Sequence, residues 1–481
     1  LGIAANTGRV TIMTENRALT RDDCTLEITD ISHEGHGIGH VNGLTLFVPN
    51  TVPGDRALVH IEIRKSRYAV ARLLRLIQPS PDRIEPGCVY AADCGGCTLQ
   101  TLSYEAQLKL KQRQVKEALT RIGKTTSIDK IMRPILGMAD PWHYRSKVQM
   151  PVSGTSKEPK IGFYAPNSHE VVDARICKVQ PPVCDKIQSV VRDFIRSNHI
   201  EPYDEQNHTG LLRHLVIRLG FATGDVMVGL VLNGADIPKR EVLIQSLIDA
   251  IRAHEDPDFP SLHLTCCFLN RNTQRGNTIQ TADNEIIHGQ GWIEEKILGL
   301  TYRISPQAFF QVNPRQTEVL FELVIELADL QGKENILDLY CGTGSISLQL
   351  AKKARKVLGI EMVEAAIQDA RVNAKLNNLS NADFLAGKAE TLLPQLADNG
   401  WNPDLIVLDP PRKGCERVVI DMIVTRKIKR IIYVSCNPAT LARDTAILQQ
   451  AGYMIQAIQP VDLFPWTNHV ETVVLITRAK E

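Results

Sequence analysis

Hydrophobic and polar positions along the chain fall into three successive patterns. From Cys24 to Ile77, short apolar runs alternate with glycine: Leu26-Glu27-Ile28, Gly35-His36-Gly37-Ile38-Gly39, then residues 44–48, 57–63 and 68–77. Five short strands with Gly and Pro turns between them predict a small closed β-barrel. After a proline-rich break at 79–86 the pattern is mixed. A helix is predicted over 104–122, with leucines at 108, 110 and 119 and a face of Lys109, Lys111, Arg113, Lys116 and Arg121. Residues 213–219, 226–232 and 262–269 read as paired strands, with helices over 183–197 and 240–254, an α+β arrangement. A long amphipathic helix over 315–330 opens the third pattern. Strand-like runs at 335–340, 357–360, 383–385, 405–408, 431–434 and 472–476, most with helical stretches between them, predict a doubly wound α/β domain.

The expected organisation is a flexible extension over 1–16, a β-barrel over 17–78, a central α+β domain over 79–304 and an α/β domain over 305–481. A chain of 481 residues is long enough for two to four cores. Its formal net charge of +1 leaves no global basic excess, so any nucleic-acid surface has to be a local patch. The cluster Arg64, Lys65, Arg67, Arg72 and Arg75 in the barrel and the basic face of the 104–122 helix are the candidates. No apolar run reaches the roughly 18 residues of a membrane helix. Residues 1–20 lack a charged-then-apolar signal pattern, so a cytoplasmic protein without membrane association is expected. The chain begins with Leu, and Met13 is a candidate start.

Eleven cysteines are unevenly spread. Cys88, Cys94 and Cys97 crowd into one short stretch, with Gly95 and Gly96 allowing a tight fold around one centre. Without a signal pattern, reduced thiols for metal binding or catalysis are expected rather than a disulfide framework. Three such thiolates suit zinc or an iron–sulfur cluster, and spacing alone does not find a fourth ligand.

The clearest chemistry lies in the last third. The strand at 335–340 runs into Cys341-Gly342-Thr343-Gly344-Ser345, and a helix starts at once. The next strand ends at Glu361, 19 positions after Gly342. Such a turn lets a ligand approach the backbone, and the acid can bind ribose hydroxyls; both would suit NAD as well. Asp409-Pro410-Pro411-Arg412, Ser435-Cys436-Asn437-Pro438 and His469-Val470-Glu471 separate the readings. They put a carboxylate and a thiol at the rim of a parallel sheet, a grouping for which a dehydrogenase has no use. Cys436 reads as a nucleophile and Glu471 as a base. Cys341 and Cys415 read as packing or loop residues. Aromatic and amide residues in Ser305-Pro306-Gln307-Ala308-Phe309-Phe310-Gln311-Val312-Asn313 stand ready for a ligand just before a helix.

Taken as a set, Gln311-Val312-Asn313, the 338–345 segment, Asp409-Pro410-Pro411-Arg412, Ser435-Cys436-Asn437-Pro438 and His469-Val470-Glu471-Thr472 resemble the RNA uracil-5-methyltransferases that use S-adenosylmethionine. The closest branch modifies 23S rRNA and carries a TRAM barrel and a [4Fe–4S] cluster, and the resemblance covers nearly the whole chain. It implies an N-terminal TRAM barrel, OB-like in form, a central α+β domain with the cluster, and a C-terminal Rossmann-like methyltransferase domain. It further implies that Gln311, Tyr340, Ser345, Glu361, Lys388 and Asp409 line the donor pocket, Tyr340 standing where the family often has Phe. Cys177 is the implied fourth cluster ligand beside Cys88, Cys94 and Cys97. The expected activity is 5-methyluridine formation in 23S rRNA by a monomer, through a Cys436–C6 adduct resolved by Glu471 as proton acceptor. The target uridine must be flipped or already unpaired. A structural or RNA-positioning role is expected for the cluster, since methyl transfer from a sulfonium needs no electron. The alternatives are the same chemistry on the tRNA T-loop uridine, cytosine-5 methylation, amino-group methylation, and a non-catalytic Fe–S RNA-binding or ribosome-assembly factor. Arg412 stands where amino-group methylation would want an aromatic, and the Ser435-Cys436-Asn437-Pro438 setting argues against cytosine.

Overall fold

The computed structural model describes residues 20, 22–32, 34–256, 259, 261–398 and 400–479. The extension expected over 1–16, with Met13, lies outside them. The chain forms two compact units. One runs through Leu110 and takes in Gly162–Ala174 and Phe464–Asn468; the other comprises Lys111–Ile161, Arg175–Leu463 and His469–Glu481.

In the first unit, β1 (Asp23–Ile31), β2 (Gly37–Val41), β3 (Leu44–Val48), β4 (Arg56–Arg64) and β5 (Tyr68–Gln78) close into a barrel in the order β1-β2-β3-β5-β4. Alternation turns Leu26, Ile28, Leu46, Val48, Ala57, Val59, Ala69 and Ala71 inward, all almost fully buried. Gly37 and Gly39 are needed where the wall closes: a Cβ on Gly37 would stand 2.1 Å from Thr51 Oγ1, and one on Gly39 2.5 Å from Glu27 O. Arg64, Lys65, Arg67, Arg72 and Arg75 are exposed, as a binding patch requires. The 79–86 break is pinned by the buried Asp55 carboxylate, which accepts from Ser80 N at 2.9 Å and pairs with Arg83 at 2.5 Å. Helix α1 (Tyr104–Arg121) follows, and the first unit ends within it at Leu110. Trp466 completes this unit's small core, its carbonyl accepting from Thr98 N and Leu99 N at 3.0 Å.

The second unit contains two sheets. After α2 (Ile128–Ile131) come β6 (Lys147–Gly154) and β7 (Pro159–Ile161). The hairpin of β8 (Phe163–Tyr164) and β9 (Val171–Val172) belongs to the first unit. Then follow α3 (Pro182–Ser197), β10 (Leu212–Leu219), β11 (Asp225–Leu232), α4 (Arg240–Arg252), β12 (His263–Arg271) and β13 (Asn284–Gly289). The six strands run in the order β13-β12-β11-β10-β6-β7. Only β11 and β12 are parallel, and α4 is the crossover that such a pair needs. A hairpin of β14 (Ile293–Ile297) and β15 (Leu300–Ile304) leads to α5 (Pro314–Ala328), capped by the Asn313 side chain.

The second sheet is built from β16 (Asn335–Leu339), α6 (Ser345–Ala351), β17 (Lys356–Glu361), α7 (Glu364–Leu376), β18 (Ala382–Ala386), α8 (Ala389–Asp398), β19 (Leu405–Leu408), α9 (Arg417–Thr425), β20 (Arg430–Ser435), α10 (Pro438–Gln450), β21 (Tyr453–Val461) and β22 (Glu471–Arg478). Its order is β18-β17-β16-β19-β20-β22-β21, with the five strands from β18 to β20 parallel and β22 antiparallel to both of its neighbours. The four-residue β19 is wholly buried, as a central parallel strand must be. The sequence pattern missed β21. Gln456, Gln459 and Pro460 blur its alternation, and Pro is tolerated there because the strand lies at the end of the β-sheet order. Residues 132–136 run along its outer side, with Arg133 N bonding Ile458 O at 2.9 Å and Leu136 N bonding Pro460 O at 3.0 Å.

Candidate active site

The carboxyl ends of β16 and β17 form an open cradle. Beyond Leu339 the chain coils into α6 through Tyr340, Gly342 and Gly344, with φ of 67°, 54° and 77°. Gly344 is forced by packing as well, since a Cβ there would meet Phe384 Cζ at 2.8 Å. Beside Gly342 there is nothing within 4 Å of where a Cβ would stand, so its backbone is open to a ligand. Glu361 ends β17 and accepts from Gly342 N at 3.3 Å and Val363 N at 2.9 Å. Met362 and Val363, which sequence reasoning did not single out, are 64% and 51% exposed and offer an apolar surface at the same strand end. Ser345, half-buried, starts α6 and accepts at its carbonyl from the Tyr302 hydroxyl. Below the turn, Asp338 is buried; Oδ2 accepts from Ser347 Oγ at 2.5 Å, and Oδ1 has no hydrogen-bond partner among the described residues. Burial pushes its acid up to about 7. An open glycine backbone, a strand-end carboxylate and an exposed apolar surface fit a nucleoside-bearing donor.

Two strands along, the rim carries the reacting groups. Asp409 follows β19, Cys436 follows β20, and Glu471 begins β22. In the antiparallel pairing Ser435 stands opposite Thr472, so the next residue of each chain direction brings Cys436 beside Glu471. The Cys436 thiol is pushed up to about 11, first by burial, then by the Glu471 and Asp409 carboxylates, while Arg412 opposes the rise. Glu471, only 5% exposed, is held well above the usual carboxylate range by burial and then by Asp409, again opposed by Arg412. Asp409 rises to about 7 through burial and then Asp338.

Arg412 and Asn437 are functional residues that the sequence patterns undervalued. Arg412 Nη2 lies 3.1 Å from His469 Nε2, which ties the Asp-Pro-Pro-Arg turn to the segment leading into Glu471. Asn437 caps α10 through Oδ1, accepting from Ala439 N at 3.0 Å, and its Nδ2 donates to Arg412 O at 3.0 Å. One side chain thus fixes the turn after the cysteine and the turn after Asp409. Both residues stand inside quoted motifs, so the signal was present. Cys341 and Cys415 are buried and take packing positions, as expected.

The remaining predicted residues are placed less uniformly. Gln311 is half-buried in the segment before α5, next to Val312, whose carbonyl accepts from Ser146 N at 2.7 Å. Lys388 is exposed just before α8, and its charge acts on Glu416. Cys88 and Cys94 influence one another, and Gly96 N approaches Cys94 Sγ at 3.4 Å. Cys177 belongs to the second unit, with its N–H on Asp185 Oδ1 at 3.2 Å. Among the described residues, no group of three or more Cys, His, Asp or Glu side chains gathers closely enough to hold a metal.

Comparison with known proteins follows this geometry. Residues 275–479 match the family described as tRNA (Uracil-5-)-methyltransferase, and residues 19–74 match the TRAM domain. A Clostridium tetani protein named "Uncharacterized RNA methyltransferase" is 41% identical over 452 residues, 94% of this chain and 95% of that protein. A Halalkalibacterium halodurans protein of the same name is 41% identical over 466 residues, 96% of this chain and 99% of that protein. Among solved structures, a Pyrococcus abyssi tRNA (uracil-54, C5)-methyltransferase in complex with S-adenosyl-L-homocysteine aligns with a TM-score of 0.74 and 26% identity, covering 94% of this chain and 100% of that one.

Proposed function

We propose that this chain, which belongs to the S-adenosylmethionine-dependent uracil-5 RNA methyltransferase family, forms 5-methyluridine at a specific uridine of 23S rRNA. The observation that carries the catalytic part is the grouping of Cys436, Asp409 and Glu471 at one rim, beside an open nucleoside cradle. S-adenosylmethionine supplies an electrophilic methyl group on a sulfonium, and Gln311, Tyr340, Ser345, Glu361, Lys388 and Asp409 are the residues assigned to hold it. The Cys436 thiolate adds to C6 of the uracil and its electron pair makes C5 nucleophilic as part of an enolate. C5 attacks the methyl group, the methyl–sulfur bond breaks, and S-adenosylhomocysteine is the leaving group. Glu471, as carboxylate, then removes the C5 hydrogen as a proton, and the C6–S bond breaks to restore the ring and free the thiolate. Arg412 favours the ionised forms of both groups in this sequence.

The test uses 5-fluorouridine-substituted RNA with the methyl donor. Fluorine cannot leave C5 as a proton, so a covalent protein–RNA adduct accumulates with the wild type and is absent with Cys436→Ala. An adduct that survives Cys436→Ala overturns the mechanism.

The choice of 23S rRNA rests on the resemblance of the barrel and the cysteine set. The full-length alignment with a tRNA (uracil-54, C5)-methyltransferase favours a second reading, the same chemistry on the tRNA T-loop. Methylation of separate 23S rRNA and tRNA transcripts, mapped by mass spectrometry, decides between them. The [4Fe–4S] reading is supported by cysteine spacing and resemblance alone, and no step above passes through a cluster. Iron and acid-labile sulfide analysis of protein purified without oxygen tests it, about four of each per chain being the expected result. We read the protein as a cytoplasmic monomer; no described helix is long and apolar enough to cross a membrane.

A further inference from the structure

We propose that Arg145 and Lys147, backed by Arg218, form a phosphate site that seats the RNA backbone beside the target uridine. This site rests on the reading of the protein as an RNA methyltransferase, but not on its choice of RNA. In the first sheet of the second unit, β6 and β10 pair antiparallel with Lys147 directly opposite Arg218. Their side chains therefore leave the same face of the sheet as neighbours, an arrangement that destabilises a sheet when both carry like charge. Arg145 adds a third cation, its Nε donating to Lys147 O at 3.1 Å.

The Asp369 carboxylate acts on Arg218, but among the described residues no carboxylate makes an ion pair with Lys147 or Arg145. Arg218 is buried and spends its guanidinium on two carbonyls, Ala308 O at 2.8 Å and Ser305 O at 3.3 Å. Among the described residues, the Lys147 ammonium makes neither an ion pair nor a hydrogen bond, although the residue is half-buried. Burial, then Arg218 and Arg145, pushes it down to about 7. Buried charge without a partner is unfavourable, and such a cluster persists where a ligand supplies the counter-charge. An ammonium with a neighbouring guanidinium suits a phosphate oxyanion.

Position selects the source of that phosphate. Ser146 lies between Arg145 and Lys147, and its N–H bonds Val312 O at 2.7 Å, one residue from Gln311. Arg218 grips the same segment further upstream, at Ser305 and Ala308. The cations thus border the segment that carries Gln311 and the 66% exposed Phe309. A nucleotide whose base enters the site must leave its own or a flanking phosphate outside it, and this border is a cationic seat for that group.

The experiment compares wild type, Lys147→Met and Lys147→Arg across a salt series in binding whichever of the unmodified 23S rRNA and tRNA transcripts the wild type methylates or binds more tightly, alongside S-adenosylhomocysteine affinity and thermal melting. Loss of one phosphate contact should weaken RNA binding about tenfold and reduce the salt slope by about 0.7–0.9. Lys147→Arg should restore the slope. S-adenosylhomocysteine affinity should not change, and free Lys147→Met should melt at or above the wild-type temperature because a like-charge contact is gone. An unchanged salt slope overturns the proposal. So does a loss of S-adenosylhomocysteine affinity with RNA binding intact, which would assign the cations to the donor carboxylate. If Lys147→Met melts below wild type, Arg145→Met carries the same comparison. Wild-type protein that binds RNA with the expected slope but forms no 5-fluorouridine adduct would sink the catalytic reading while leaving the phosphate site standing.

Discussion

The two sheets of the second unit concentrate opposite charges, and in both cases burial does the work. At the rim of the seven-stranded sheet, Asp409 and Glu471 stand near the Cys436 thiol, with Asp338 acting on Asp409 from within β16, and each acid is held above its usual range. At the β6–β10 pair of the six-stranded sheet, Lys147 stands among arginines and is held below its usual range. Like charges with little water between them raise acids and lower bases. The acidic rim is suited to a cation, and the sulfonium of the methyl donor is one. The basic pair is suited to an anion, and RNA is a chain of them. Each region gives up stability in the free protein and regains it with its ligand, as functional sites commonly do.

The largest way to break the acidic half is Cys436→Ala, which should reduce methyl transfer to background and abolish the 5-fluorouridine adduct, scored by radiolabel transfer and denaturing gels. Glu471→Gln should lower turnover by about 10²–10⁴-fold on ordinary uridine, the range of a lost general base. The methylated adduct should then accumulate, because Cys436 cannot leave until the C5 proton does; a variant that turns over normally without adduct removes Glu471 from the mechanism. Arg412→Gln tests the single opposing cation identified for both Cys436 and Glu471. Alkylation of Cys436 in the free protein, read by peptide mass spectrometry, should rise about tenfold per pH unit toward about 11 in the wild type. In Arg412→Gln the same curve should move to higher pH, with an activity loss of roughly ten- to a hundredfold.

Lys147→Met probes the basic half at about tenfold in RNA affinity. The smallest effect expected is on stability. Asp409 has a folded value of about 7 against an ordinary value near 4, so the folded state binds the extra proton between them. Its contribution is present at low pH and is lost as pH rises through 7. Asp409→Asn removes that loss, so its melting temperature should gain on the wild type between pH 5 and pH 8. A gap that stays constant across this range would show that Asp409 is not a raised acid.

Much of this was legible from residues alone. The barrel strands, α1, α3 and the parallel strands of the second sheet appear where short-range alternation and turn residues place them, because glycine, proline and periodic apolar positions act within a few residues. The rim motifs were legible for the same reason: a strand that ends in Asp409-Pro410-Pro411 or Cys436-Asn437-Pro438 has to stop there. By contrast β21 was hidden by its glutamines and Pro460, which only its place at the end of the strand order makes tolerable. The four cysteines expected in one cluster lie beyond what local pattern decides. A spacing can nominate Cys88, Cys94, Cys97 and Cys177, but only packing can gather them, and among the described residues it gathers no metal-holding group.

By itself, then, the sequence determined the element types, the glycine turn at Gly342, and which thiol and carboxylates stand at strand ends, since these follow from local backbone rules. Tertiary structure decided what those groups are chemically. It set Glu471 beside Cys436 through an antiparallel pairing, withdrew both from solvent enough to raise them above their ordinary values, and aligned Lys147 with Arg218 across two strands distant in sequence. Protonation depends on solvent exclusion and on neighbours brought from elsewhere in the chain, and neither is written in the order of residues around any one of them.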